Sequence, residues 1–447
     1  MIIEKETFYR RALLTAFWIR GCWGFFAWEL VPFMLQLLPA VFLLIDLIVV
    51  TLGVMLMKRT RDRVFAIVFI AVTGYITCYY NGLSALFFLN GLRDFLGYIF
   101  MIPIFAYFLG DKERKARFMP VFDRHLFIFL IVQCPCMLFT FLMHGACDWG
   151  GGSLGNWNSG IITTLIFAVS FYLMQKRIDQ ENFWHSIWEN KIYIILLFPT
   201  QLNETKVSFV YLLMYLVLLL PFNKRLFVRL LLAVPIVAFS LICALGAYVV
   251  STGGSMKDIL SIEYYTEMYL YDPSMDTVGY AEWLFDNDTG ESDDIPRFTK
   301  FMLLSDLNEE NPGHIMTGFG LGQFKGGTTI RNTDFYNKYE WMLIGTIPYA
   351  YHVYIQIGVI GLMLMFWFFF NLLSAPGEGF KRNYNVHAYI FLVYILLLMY
   401  NESIRDCFQC LVFTYLALAS WKCADESEPV ADDAMPQAGE HNAIASC

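Results

Sequence analysis

Residues 31–57 read VPFMLQLLPAVFLLIDLIVVTLGVMLM, and Lys58-Arg59-Thr60-Arg61-Asp62-Arg63 follows at once. Asp46 is the one charge in that run. About 18 apolar residues suffice for a helix to cross ~30 Å of hydrocarbon, so this run is long enough with length to spare. The basic cluster behind it marks a cytoplasmic loop, because Lys and Arg accumulate on that side of a membrane. One span closed by one basic loop is therefore the unit from which the fold is read.

The unit recurs along the chain. Further apolar runs fall at 12–29, 64–81, 84–109, 124–145, 158–175, 191–203, 205–221, 226–250, 344–372, 386–401 and 404–421. Arg20 and Glu29 interrupt the first of them, so residues 12–57 also read as one long helix plus an interfacial segment. Basic clusters at 112–124, Lys176-Arg177 with Lys191, 223–225 and Lys381-Arg382 alternate with the runs in the order one topology requires. That topology puts both termini in the cytoplasm. The loops at Gly82, Cys147 to Ser159, Asn203, Ser251 to Leu343 and Glu402 then fall outside. The fold class expected is all-α: a polytopic membrane helix bundle of about 12 transmembrane helices, with a large outer loop between the ninth and tenth.

Composition agrees. The 447 residues are 57% hydrophobic and only 16% charged, with a positive mean hydropathy. A soluble domain carries roughly 25% charged residues, and a water-facing surface of this size needs them. Much of the net charge of −8 sits in the 251–342 segment and in the tail after Lys422, which has the composition of a disordered segment. The regions expected are 1–250 (membrane), 251–343 (outer loop domain), 344–421 (membrane) and 422–447 (acidic cytoplasmic tail). No basic tract suggests nucleic acid. Most of the ten cysteines lie in apolar runs, where they act as small hydrophobes. No metal-ligand spacing is present among Cys and His, and no cofactor motif appears.

Charged side chains within spans are costly and mark candidate sites. Arg93 lies well inside the 84–109 run, Lys206 follows the break at 201–204, and Arg405 opens the last helix. Each has an acidic neighbour, Asp94, Glu204 or Asp406, so ion pairing or snorkelling explains any one alone. Three cations towards one face also form a place for an anion, most naturally a phosphate. His352 lies where the outer loop re-enters the membrane. A lone interfacial His is usually a satisfied polar group, yet an unperturbed pKa near ~6.5 suits a general base. Within the loop, Asp294-Ile295-Pro296-Arg297 reads as a helix start, with Phe298, Phe301, Met302 and Leu304 to Leu307 as its apolar stripe. Asn311-Pro312-Gly313 stops that helix, and Gly318-Phe319-Gly320-Leu321-Gly322-Gln323-Phe324 follows.

Taken in order, Arg297, Pro312, the Gly318–Phe324 stretch, His352, and Gly358 with Gly361 resemble the O-antigen ligase and O-antigen polymerase family. The motif match covers 297–361, and the topology match most of the chain. The Trp that often follows the family's Arg is absent, and Val353 stands where a small polar residue is common. Lys206 replaces an Arg, keeping its charge without the bidentate fork. The resemblance implies metal-independent glycosyl transfer on the outer face of the bacterial inner membrane. Its donor would be a glycan on undecaprenyl diphosphate. Its acceptor would be another lipid-linked glycan, lipid A-core or a protein hydroxyl. It implies His352 as base and Arg297 and Lys206 as diphosphate ligands, joined by Arg93 and Arg405. Gly318, Gly320 and Gly322 would let backbone approach the substrate; a plain loop returning to the membrane is the alternative. A secondary transporter or polysaccharide flippase is the competing class, for which matching broken helices in two halves would be the sign.

Overall fold

The computed structural model describes residues 2–145, 150–179, 182–202, 207–220, 295, 297–324, 333–343, 345–377 and 379–423. The run expected at 226–250, Lys206, the whole 251–294 segment and residues 424–447 of the acidic tail lie outside them.

The described chain is a bundle of α-helices. Its helices are α1 (Ile2–Phe25), α2 (Leu38–Leu56), α3 (Thr60–Gly74), α4 (Ala85–Leu92), α5 (Leu96–Leu109) and α6 (Lys112–His144). They continue with α7 (Ser159–Gln175), α8 (Phe183–Glu189), α9 (Ile192–Ile195), α10 (Ser208–Leu219) and α11 (Arg297–Glu310). The last are α12 (Asp334–Tyr339), α13 (Tyr349–Leu372), α14 (Tyr384–Tyr400) and α15 (Cys407–Ala419). Two residues on each side, Phe380–Lys381 and Lys422–Cys423, pair antiparallel.

Among the described residues, five helical stretches are long and apolar enough to cross a membrane: Pro32–Leu56, Thr60–Tyr80, Ala85–Leu109, Lys112–His144 and Tyr349–Leu372. Shorter apolar helices cover Ser159–Gln175, Ile192–Gln201, Ser208–Leu219, Tyr384–Tyr400 and Cys407–Ala419. Helices α5, α7 and α15 are buried along almost their whole length, and α5 packs most extensively on α2 and α15. Around them the helices turn large apolar side chains outward, among them Leu44, Leu47, Ile67, Leu142, Phe366 and Phe370. An apolar exterior around an apolar core is what a hydrocarbon solvent selects, since lipid tails impose no penalty on exposed Leu or Phe.

Three local readings differ from the sequence expectation. The basic segment 112–124 is not a loop but the first turns of α6, opened by Asp111, whose carboxylate accepts from the Arg114 backbone N–H at 3.0 Å. Lys, Glu and Arg are good helix formers, so the charge cluster prolongs the helix beyond its apolar run. The 191–203 run is divided between α9 and a tight turn at Phe198–Gln201 that opens next to Pro199. The segment expected as a loop at Cys147 to Ser159 is, in its described residues from 150 on, packed against α1 and α6. Ser153 is buried, accepting from Gln133 Nε2 at 2.7 Å and donating to the Gly21 carbonyl of α1 at 2.5 Å.

The described part of the 295–343 segment carries a core of its own. Ile295, Leu303, Leu304, Leu307, Phe319, Phe324, Tyr339 and Met342 close over Tyr351 and Ile355 of α13. The buried face of α11 is thus Thr299, Lys300, Leu303, Leu304 and Leu307, while Met302 is half exposed. This small core sits against the first turns of α13, on the Tyr351 and Ile355 side.

Candidate functional site

Helix α13 is broken at Gly358, whose φ of 67° and ψ of −155° are open only to glycine. In an unbroken helix Val359 and Ile360 would donate to the carbonyls of Ile355 and Gln356. Here the Gly-rich stretch takes that rung. Phe319 and Gly320 donate to Ile355 and Gln356 at 2.9 Å each, and Val359 and Ile360 donate to Ile315 and Met316 at 3.1 Å each. Leu321 N–H donates to Thr77 Oγ1 at 2.9 Å and Gly322 N–H to Gln356 Oε1 at 3.1 Å. The close approach that the glycines permit is to the protein's own backbone. A Cβ on Gly318 would stand 2.5 Å from the Gln356 carbonyl carbon, and one on Gly322 2.3 Å from the Phe87 carbonyl oxygen. Gly318 and Gly322 also hold φ of 63° and 79°.

One turn before the break, His352 is 4% exposed. Its Nε2 lies 2.7 Å from Gln356 Nε2 and 3.6 Å from Asp94 Oδ2. Asp94 reaches it because the span Ala85–Leu109 tightens into a short turn at Arg93–Phe95. Tyr349 and Tyr98 continue the polar column. The rings of Tyr349 and His352 stack at 6.1 Å, those of Tyr98 and Tyr349 at 5.8 Å. Tyr98 Oη then donates to the Ile404 carbonyl at 2.9 Å, in the turn that carries Arg405. Arg405 and Asp94 both lie within electrostatic range of the Tyr349 hydroxyl.

The candidate cations divide. Arg93 pairs with Asp46 of α2 at 3.0 Å, across the bundle, and not with its sequence neighbour Asp94. Asp406 likewise pairs with Arg20 of α1 while capping α15, accepting from Phe408 N–H at 2.8 Å. Arg405 lies within electrostatic range of Tyr349, in the turn whose Ile404 carbonyl Tyr98 meets. Arg297 opens α11 with its guanidinium 4.2 Å above the Tyr400 ring and its Nε buried without a hydrogen-bond partner. Tyr400 immediately precedes the turn that carries Arg405. Thus His352, Asp94 and Arg405 belong to one column, Arg297 stands on its Tyr400 side, and Arg93 is tied into a separate ion-pair network.

Sequence reasoning treated Asp94 as a mere neighbour of Arg93 and did not weigh Gln356. Gln356 had a detectable signal, being polar in an apolar run and four residues past His352, hence on the same helix face. The Asp94–His352 approach had none. Compared with protein families and with curated proteins, the chain matches no family model and no curated sequence.

Proposed function

We propose that this chain is a glycosyltransferase of the bacterial inner membrane. It would transfer a glycan from undecaprenyl diphosphate to an acceptor hydroxyl on the outer face, as a polysaccharide polymerase or an O-antigen ligase. The reading takes the bundle as about 12 spans, the 251–343 segment as outer, and both termini as cytoplasmic. The observation that carries it is a buried histidine beside a carboxylate, His352 and Asp94, with Tyr349 stacked on the histidine and Arg405 within electrostatic range of Tyr349.

The chemistry follows from those groups. The acceptor hydroxyl attacks the anomeric carbon while its proton passes to the His352 imidazole. The bond from the anomeric carbon to the diphosphate oxygen breaks, and the electron pair leaves with the diphosphate. Asp94 stabilises the imidazolium as it forms. Arg297 and Arg405 meet the charge growing on the leaving diphosphate, with Lys206 as a further cation. Arg93 serves this site through architecture, since its pairing with Asp46 holds the turn that presents Asp94.

A secondary transporter is the second reading, favoured by the broken α13 and by the two ion pairs set among apolar helices. Glycan laddering separates the two. Cells lacking the chain are complemented with wild type, His352→Ala or Arg297→Ala at matched expression. Restoration by wild type alone supports transfer. Single lipid-linked units then indicate a polymerase, and long unattached chains a ligase. A normal ladder from both variants refutes the site. Glycan trapped on the cytoplasmic side in the deletion supports the transporter.

A further inference from the structure

The amide of Gln356 is fully enclosed, at 1% exposure, and its orientation is set by a group that has no choice. The Gly322 backbone N–H only donates, so the atom 3.1 Å from it is the amide oxygen. The amide nitrogen then faces His352 Nε2 at 2.7 Å, and an amide nitrogen also only donates. His352 Nε2 is therefore an acceptor. The neutral imidazole carries its proton on Nδ1 and its lone pair on Nε2, on the side where Asp94 Oδ2 stands 3.6 Å away.

We infer that Gln356 is a positioning residue that, clasped by the Gly322 N–H, holds His352 as the Nδ1–H tautomer with Nε2 unprotonated. The clasp ties the protonation state of the histidine to the docking of the Gly-rich stretch in the break of α13. The inference rests on His352 being the base of the proposed transfer. For transfer the Gln356 N–H first yields the Nε2 lone pair to the acceptor hydroxyl, whose O–H bond then breaks as an Nε2–H bond forms. The Asp94 carboxylate takes over the new N–H. Gln356 thus favours the form that accepts a proton, and Asp94 favours the form that holds it.

The test reads the proton directly. The full chain is purified in detergent with 15N-labelled histidine, and the His352 signals are assigned by their loss in His352→Ala. At mildly alkaline pH the wild type is expected to show Nδ1 protonated and Nε2 bare. In Gln356→Glu both carboxylate oxygens accept, so the proton is expected on Nε2. In Gln356→Met, read in its place if Gln356→Glu does not fold, a mixture of tautomers is expected. A wild type protonated on Nε2, or either variant keeping the single Nδ1–H form, overturns the role of Gln356. The same Gln356→Glu change is expected to lower kcat at least ~10-fold, since general base catalysis contributes ~100-fold or more, with donor KM unchanged. No substrate enters the tautomer measurement. The expected tautomers in a chain that yields no ladder would therefore overturn glycosyl transfer while leaving the Gln356 clasp intact.

Discussion

Replacing Gly358 by Ala tests whether the break in α13 is held by the inserted Gly-rich stretch. Two opposing effects have to be weighed. Straightening the helix would restore two internal hydrogen bonds and add the ~1 kcal/mol by which Ala exceeds Gly in helix propensity. It would also cost four bonds, those of Phe319, Gly320, Val359 and Ile360 across the break. The net loss is two bonds, about 1 kcal/mol each. Keeping the break instead places a side chain at φ 67°, ψ −155°, which costs roughly 1–3 kcal/mol. A Cβ there also lies 2.5 Å from the Met316 carbonyl group, so the 315–317 backbone has to move. The strain raises the docked form and the propensity term lowers the straight one, so docking of the stretch weakens by about 2–4 kcal/mol. That corresponds to roughly 25- to 700-fold in the docked population, at ~1.4 kcal/mol per factor of ten. Amide hydrogen exchange of the protein in micelles reads this at Phe319 and Gly320. Exchange at these two amides, which lose their acceptors in a straight helix, should accelerate by that factor, while Val359 and Ile360 exchange acceptors and α5 and α15 stay at wild-type rates. Unchanged protection at Phe319 and Gly320 would refute the account of the break.

Other consequences follow from the same contacts. Thr77→Val removes the acceptor of the buried Leu321 N–H and should lower stability by about 1–3 kcal/mol, read as a fall in Tm in detergent. In the Arg93–Asp46 pair, Arg93→Met should destabilise more than Asp46→Asn, because Asp46 is 14% exposed and Arg93 38%. The double variant should fall between wild type and Arg93→Met, and equal single-variant effects in Tm would count against this asymmetry. At the tip of the small core, Glu310 accepts from Tyr339 Oη at 2.5 Å and from Lys338 Nζ at 3.2 Å. The Tyr339 hydroxyl first, and the Lys338 ammonium second, hold its carboxyl below the ordinary range. A depressed folded value means the contribution is present above the unfolded pKa and lost as pH falls through the folded one. Tyr339→Phe should therefore move Glu310 titration, followed by carboxyl 13C shifts, to higher pH.

Much of the helical architecture was legible because apolar run length is a local property. The runs at 64–81, 84–109, 158–175 and 344–372 reappear as helices within a few residues of their expected ends. The misread places are those where local chemistry allows two outcomes. The charges of 112–124 suit a loop or a helix equally, and capping by Asp111 decided for the helix. The break after Leu196 is marked only by Pro199, which starts a turn as readily as it follows one.

At the site, residue type singled out His352, Arg93 and Arg405, because a polar group in an apolar run has to be accounted for wherever the chain goes, while Arg297 entered through the order of motifs in and after the loop. What each group meets depended on contacts between residues far apart in sequence. Arg93 meets Asp46 and not Asp94, Asp406 meets Arg20, and Asp94 faces His352. Glycine spacing announced a chain able to pass close to something. Only the packed bundle showed that the close partner is the opened rung of α13, since the unpaired carbonyls of a broken helix take whichever donors tertiary packing brings to them.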